Sequence, residues 1–497
     1  MTDNNLSPHI ATTSPLYRNQ RIHFIGICGV GMSGLAIAMK EQGFHITGSD
    51  KGFYPPVSTQ LEAAGISFYP GWHPEKMIEG GVPDLVVVGN VAGSSNPEWQ
   101  YVQENNIPYL SYPELIAKYF VQKNSIVCTG TYGKTTSTAL LTWILIQAGW
   151  DPSYMFGGIY TNVETPGRGR ASLPSAKITN TDWSILEGDE YKTSRWDNRP
   201  KFAHYSPTHV LLTSVVWDHA DVYPTPAEYE KAFAHLIHSI PKNGLLVACM
   251  DDPNVAKIVT LLHCHIVSYG QSTQADYMYH NVRETRNGVE FLITMKQCNN
   301  VAIQSPMLGE FSAANITGCF ALAHSIGIPE EKIVEAIKNF PGVKRRLECR
   351  LRGEIDVYDD IAHSPTKAEA VLKSLKTLYE GRIIAIFEPN TGNREPAALP
   401  GYDHAFESAD MVIIPHLTKL KKNPSGPRPL DGQELTATIA KTHPNVQYIK
   451  GDEKLIQTIL KTAQPGDAVI FLGSHGFRGM IEALTCEVRT RTNVRIR

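Results

Sequence analysis

The sequence predicts an α/β protein of three domains, each built on a mostly parallel sheet: a Rossmann-like N-terminal domain, a central P-loop domain and a Rossmann-like C-terminal domain. Three observations lead there. Continuous apolar runs such as Leu85-Val86-Val87-Val88 and Ala468-Val469-Ile470-Phe471-Leu472 read as strands buried on both faces, which is how parallel sheets are written. Helical stretches separate these runs. Two of the runs end in glycine turns that lead directly into helices. At 497 residues the chain is too long for one core. The expected division is a flexible leader over 1–20, a first domain over 21–120, a second over 121–345 and a third over 346–497.

Composition narrows the class. The net charge is -3 and 42% of residues are hydrophobic, so nucleic acid and anionic membrane are excluded as main partners. No apolar run approaches the roughly 18 residues of a membrane span, and the polar start is not a secretory signal. The eight cysteines form no Cys-x-x-Cys pair, which argues against a zinc ribbon or redox pair and fits a reducing cytoplasm.

In the first domain, Ile22 to Ile25 reads as a strand. The turn Gly26-Ile27-Cys28-Gly29-Val30-Gly31 follows, then a helix over Leu35 to Glu41. The next strand ends at Asp50. Glycines for close backbone approach and an acid for a ribose hydroxyl describe a diphosphate-binding turn, although tight helix–strand packing would ask for the same glycines. A further strand, 84–88, ends at Gly89-Asn90. Asn96-Pro97-Glu98 opens a helix with proline where its missing N–H costs nothing.

The second domain is headed by Thr129-Gly130-Thr131-Tyr132-Gly133-Lys134-Thr135-Thr136, between a buried strand and a helix. Backbone N–H groups there would cradle phosphate, Lys134 would reach the β/γ-phosphates, and Thr135 would offer its hydroxyl to Mg²⁺. The standard loop has one more glycine, where Cys128 stands. Past the strand Trp183 to Leu186 comes Glu187-Gly188-Asp189-Glu190. Carboxylate oxygen beside a phosphate loop suits Mg²⁺, and Glu187 is the expected ligand. The strand Val210 to Ser214 leads into Asp218-His219-Ala220-Asp221. Residues 277–306 read as edge hairpins, and 313–323 and 329–340 as helices. Pro341-Gly342-Val343 reads as a hinge. The run Lys344-Arg345-Arg346 is either a solvated basic patch or a clamp on transferring phosphate. In the third domain, strands at 355–360, 383–387, 411–414 and 468–472 alternate with helices, His363 follows the first of them, and 423–429 reads as a mobile loop.

These pieces occur in one order: Gly26-x-x-Gly-x-Gly, Thr129-Gly-Thr-x-Gly-Lys-Thr-Thr, Glu187-x-Asp-Glu, Asp218-His-x-Asp, Gly342-Val-Lys-Arg-Arg-x-Glu348 and Asp359-Asp-x-Ala-His363-x-Pro-Thr. Together they resemble the Mur ligase family, ATP-dependent amide ligases of bacterial peptidoglycan synthesis, over residues from about 21 to 485. The resemblance implies UDP-sugar binding in the first domain through Gly26, Gly29, Gly31, Asp50 and Asn90. It implies ATP binding through Gly130, Thr131, Gly133, Lys134, Thr135, Thr136, Asn315 and Asp360. Mg²⁺ would be held by Thr135, Glu187 and His219. Lys134, Glu187, His219 and Arg346 would be catalytic, and His363 and Asn390 would meet the acceptor. The lactyl carboxylate of UDP-N-acetylmuramate would be phosphorylated by ATP, and an amine would attack the acyl phosphate. The stretches Tyr54 to Glu62, Lys201-Phe-Ala-His-Tyr205 and Glu388-Pro389 look most like the branch that adds the murein tripeptide L-alanyl-γ-D-glutamyl-meso-diaminopimelate during recycling, ahead of the branch that adds L-alanine. A non-catalytic UDP-sugar-binding regulator is the alternative from another class. Monomer and homodimer both stay open. The chain departs from the family pattern at Tyr132, Ser214, Phe311-Ser312 and Asn390. Phe233 stands where some members carry a carbamylated lysine.

Overall fold

The computed structural model describes residues 18–53, 57–161, 163–165, 169–171, 173–219, 222–296, 299–417 and 428–495. The leader up to residue 17, Tyr54 to Pro56, Asp221, Cys298 and most of the loop expected at 423–429 lie outside them. The chain divides into two compact units. One comprises Met1–Asn281, Phe291–Ile303 and Ala313–Pro341; the other comprises Val282–Glu290, Gln304–Ser312 and Gly342–Arg497. The division after Pro341 falls at the segment read as a hinge.

The first unit opens with a five-stranded parallel sheet of β1 (Arg21–Ile25), β2 (His45–Asp50), β3 (Ser67–Pro70), β4 (Leu85–Val88) and β5 (Tyr109–Ser111), in the order β3-β2-β1-β4-β5. The order reverses between β1 and β4. In open sheets of this kind ligands bind in the crevice outside the strand ends at such a reversal. The glycine turn after β1 and Gly89-Asn90 after β4 both belong to that crevice. The helix after the turn begins at Val30, five residues before the Leu35 expected, because Gly29 in extended conformation serves as its cap.

The next strands are β6 (Asn124–Thr129), β7 (Ser153–Met155), β8 (Val163–Thr165), β9 (Gly169–Ala171), β10 (Ala176–Lys177), β11 (Trp183–Gly188), β12 (His209–Leu212), β13 (Leu245–Cys249), β14 (His265–Gly270), β15 (Tyr277–Thr285), β16 (Gly288–Met295) and β17 (Asn300–Ser305). Strands β8 and β9 pair with each other; the rest form one sheet, β10-β7-β11-β6-β12-β13-β14-β15-β16-β17. The phosphate-loop strand β6 thus has β11 on one side and β12 on the other, both parallel. Glu187 was expected just past the strand; it lies within β11, because pairing continues through Glu187↔Cys128 and Gly188↔Thr129.

The second unit holds β18 (Glu348–Leu351), β19 (Asp356–Asp360), β20 (Ile383–Glu388), β21 (Met411–Pro415), β22 (Val446–Ile449) and β23 (Ala468–Gly473), ordered β18-β19-β23-β20-β21-β22 with only β18 antiparallel. Alternate residues of β20 fall in different apolar clusters: Ile383, Ala385 and Phe387 in one, Ile384 and Ile386 in the other. Period-two alternation puts these on opposite faces, so the sheet is covered on both. The edge strands β18 and β22 were not anticipated. They are short and only partly buried, so their sequences lack a continuous apolar run.

Candidate active site

The phosphate loop owes its shape to two glycines and to the exit of β12. Gly130 has φ +135° and Gly133 φ +79°, backbone that side chains rarely adopt. A Cβ on Gly130 would also stand 2.8 Å from the Ser214 backbone nitrogen, and one on Gly133 would strike the Asn315 carboxamide. Asn315, expected beside the nucleotide, therefore packs on the loop. Thr131 N–H donates to the Ser214 carbonyl at 3.0 Å, Tyr132 N–H to Ser214 Oγ at 3.1 Å, and Thr213 Oγ1 to the Tyr132 carbonyl at 2.6 Å. Two departures from the family pattern, Tyr132 and Ser214, are thus bonded to each other. The bulk of Tyr132 is accommodated by leaving 40% of it exposed. Phe233 joins a buried aromatic cluster with Phe202 and Tyr229, and Phe311 is 46% exposed.

The end of β11 delivers three carboxylates to three different partners. Glu187 Oε1 accepts from Thr135 Oγ1 at 2.7 Å, and its Oε2 accepts from Gly157 N–H at 2.6 Å. Asp189 pairs with Lys201 at 2.5 Å and accepts from Tyr191 N–H at 2.9 Å. Glu190, buried, stands 2.8 Å from Lys134 Nζ, and His219 Nε2 lies 3.5 Å from its Oε1. Lys134 also donates to the Gly130 carbonyl at 2.8 Å.

The electrostatics follow. Burial opposes the Lys134 charge, but Glu190, Asp189 and Glu187 outweigh it and hold the ammonium above its ordinary pKa. Burial likewise opposes ionisation of Asp189, yet Lys201 and Lys134 bring its carboxyl down to about 2. His219 is raised: burial works against its charge and the Glu190 and Asp218 carboxylates overcome it. Its backbone is left-handed, φ 57°, a conformation that costs about 1 kcal/mol or more outside glycine and concentrates at functional sites.

The predicted magnesium set is brought together only in part. Thr135 and Glu187 touch, whereas His219 faces Glu190. Among the described residues no three His, Cys, Asp or Glu side chains gather in a metal-binding arrangement. A hydroxyl and a carboxylate in contact are nevertheless the hard oxygen donors that Mg²⁺ takes alongside phosphate oxygens, so these two residues fit that ion.

A cavity of about 460 Å³ joins the glycine turn to this acidic edge, bounded by Gly26, Gly29, Gly31 and Asn90 at one end and by Glu187 and Lys201 at the other. A Cβ on Gly31 would stand 2.6 Å from the Tyr112 hydroxyl. Asp50 is not among the lining residues; its Oδ2 accepts from Cys28 N–H at 2.8 Å and so pins the turn from behind.

Arg346, Asp360, His363 and Asn390 belong to the second unit. Both Asp360 oxygens are taken by backbone, from Leu347 N–H and Ala362 N–H at 2.7 Å each. Within the cationic run it is Arg345 that turns inward, bonding Asp359 and the Gly473, Ser474 and His475 carbonyls. His363 and Asn390 follow the ends of β19 and β20, which flank β23, and Asn390 Oδ1 accepts from Asn393 at 3.1 Å and 2.7 Å. Sequence reasoning did not single out Glu190, Lys201, Gly157 or Tyr112. The acids after Glu187 and the stretch 201–205 were noticed, but not whom they pair with.

Comparison with known proteins covers the same ground. The family model described as Mur ligase family, catalytic domain matches residues 21–123, Mur ligase middle domain matches 128–323, and Mur ligase, glutamate ligase domain matches 345–475. The chain is 31% identical over 472 residues to UDP-N-acetylmuramate–L-alanyl-γ-D-glutamyl-meso-2,6-diaminoheptandioate ligase of Escherichia coli, covering 93% of this chain and 97% of that one. It is 30% identical to UDP-N-acetylmuramate–L-alanine ligase of Geotalea uraniireducens, covering 92% and 95%. A crystal structure of a murein peptide ligase from Psychrobacter arcticus superposes with a TM-score of 0.71 at 26% identity, covering 94% and 98%.

Proposed function

The chain belongs to the Mur ligase family, and from that premise we infer that it joins the lactyl carboxylate of UDP-N-acetylmuramate to the amine of L-alanyl-γ-D-glutamyl-meso-diaminopimelate at the expense of ATP, in recycling of cell-wall peptides. The observation that carries this reading is the continuous cavity that runs from the glycine turn to the Glu187 edge beside the phosphate loop. A ligand with a diphosphate at one end and a carboxylate at the other fits such a cavity.

A carboxylate is a poor acyl donor until it is phosphorylated. Its oxygen attacks the γ-phosphorus of ATP, the bond to the bridging oxygen breaks, and ADP leaves. The amine then attacks the acyl carbon, loses a proton and expels phosphate. Lys134 and the loop N–H groups other than those of Thr131 and Tyr132, which bond Ser214, bind the β/γ-phosphates and meet the charge that develops on them. Thr135 and Glu187 are the residues that would hold Mg²⁺, which when bound neutralises phosphate charge; His219, the third residue of the family pattern, faces Glu190 and would have to turn to join them. In the second unit, Arg346, Asp360, His363 and Asn390 are the residues assigned to nucleotide and acceptor. We place the reaction in the cytoplasm; the seven cysteines among the described residues are all free, which supports that, and no described helix is long and apolar enough to cross a membrane.

The test is ADP release. It should require UDP-N-acetylmuramate, Mg²⁺ and the tripeptide together. Turnover with L-alanine but not the tripeptide would instead favour the alanine-adding branch, to which the chain is nearly as similar. UDP-sugar binding without ADP release under any of these conditions would leave a regulator.

A further inference from the structure

The ligase reading needs the sugar's carboxylate to enter a cavity that Glu187 and Asp189 already make anionic. Like charges at close range cost affinity unless a cation stands between them. Among the described residues lining the cavity, Lys201 carries the one positive charge. It is firmly placed. Its ammonium sits 2.5 Å from Asp189 Oδ2, 5.9 Å from the Tyr112 ring centroid and 5.8 Å from that of Tyr191. Only 16% of the side chain is exposed. Asp189 is itself held by Tyr191 N–H, and the charges of both Lys134 and Lys201 act on its carboxylate. One of three N–H donors on Lys201 goes to Asp189. The diphosphate has its own cradle in the glycine turn and does not need this cation.

Resting on the ligase reading, we propose that Lys201 receives the free lactyl carboxylate of the sugar nucleotide, and so separates UDP-N-acetylmuramate from UDP sugars that lack the lactyl ether. Asp189 tethers the ammonium at the Glu187 end of the cavity, and the two tyrosine rings restrict its swing. The carboxylate is thereby held ionised, beside the phosphate loop.

The experiment is calorimetric titration of the full chain with UDP-N-acetylmuramate and with UDP-N-acetylglucosamine, which differ only in the lactyl group. In Lys201→Met, affinity for the first should fall about 10- to 100-fold, the scale of one charge-assisted hydrogen bond, while affinity for the second stays within about twofold. Lys201→Arg should restore part of the difference. The double variant Asp189→Asn/Lys201→Met, which leaves no unpaired acid, should show the same split if the single variant folds poorly. Equal losses for both sugars would overturn the proposal, since a diphosphate contact or a structural role predicts that. So would unchanged affinity for both. Should the unmodified chain bind neither sugar, the ligase reading fails first and the proposal with it; a chain that ligates normally but shows no split defeats the proposal alone.

Discussion

Lys134 and Glu190 form an ion pair of 2.8 Å with Glu190 almost fully buried. The cation of the phosphate loop already has an anionic partner, and an arriving phosphate must compete with it. Removing the lysine alone therefore has two effects. Lys134→Ala should lower ADP release by at least about a hundredfold, the loss of one transition-state charge partner. It should also destabilise the fold by about 3 kcal/mol, because Glu190 is left buried without its ammonium partner. Lys134→Ala/Glu190→Gln should recover the melting temperature and none of the turnover. Recovery of both, or neither, would show the pair to have been misread.

The Thr135–Glu187 bond predicts a metal phenotype. Thr135→Val keeps the shape but removes a hydroxyl that Glu187 accepts from. The Mg²⁺ concentration for half-maximal ADP release should rise about tenfold or more, and Thr135→Ser should bring it back. An unchanged Mg²⁺ titration would remove Thr135 from the metal set.

Gly133→Ala should be more damaging than its size suggests. The left-handed backbone costs alanine about 1 kcal/mol or more, and its Cβ meets the Asn315 carboxamide. ATP affinity, read by fluorescent nucleotide displacement, should fall about tenfold or more. Near-normal affinity would mean that Asn315 moves aside without consequence.

Asp50 offers a test of the turn from behind. Asp50→Ala removes the acceptor for Cys28 N–H and should weaken UDP-sugar binding about tenfold, whereas Asp50→Asn keeps one acceptor oxygen and should lose less. Equal losses would point to the charge rather than the hydrogen bond.

Stability should carry a signature of Asp359. Burial raises its carboxyl to about 6, against the pull of Arg345. The folded chain then keeps this proton up to about pH 6, while the unfolded chain releases it near pH 4. Folded protein binds more protons within that window, so stability falls as pH rises through it and is level above. Urea unfolding across the window should show this slope, and Asp359→Asn should flatten it. The same slope in the variant would assign it to another group.

What could be read from the sequence was whatever is local. The phosphate loop and the glycine turn are each a short spacing along a strand–turn–helix path, Glu187 sits at the end of an apolar strand, and the chemistry of each residue type announces itself there. Pairings were not legible. Lys134 meets Glu190 across 56 positions, and Gly157, whose N–H holds Glu187, carries no motif at all. Asp50 was read as a ligand contact because its position fits one; that its Oδ2 also accepts from Cys28 N–H in the turn is a bond no spacing announces. Edge strands β18 and β22 escaped because half-exposed pairs of this length have no apolar run to betray them.

The bonds between Thr213 and Ser214 on one side and Thr131 and Tyr132 on the other make the loop's shape a property of two strand exits more than eighty positions apart. The motif is therefore not portable. A peptide spanning 124–147, or the same residues grafted onto another strand and helix, would carry the letters of a phosphate binder without its curvature. Transplanting the function requires moving the β12 exit as well.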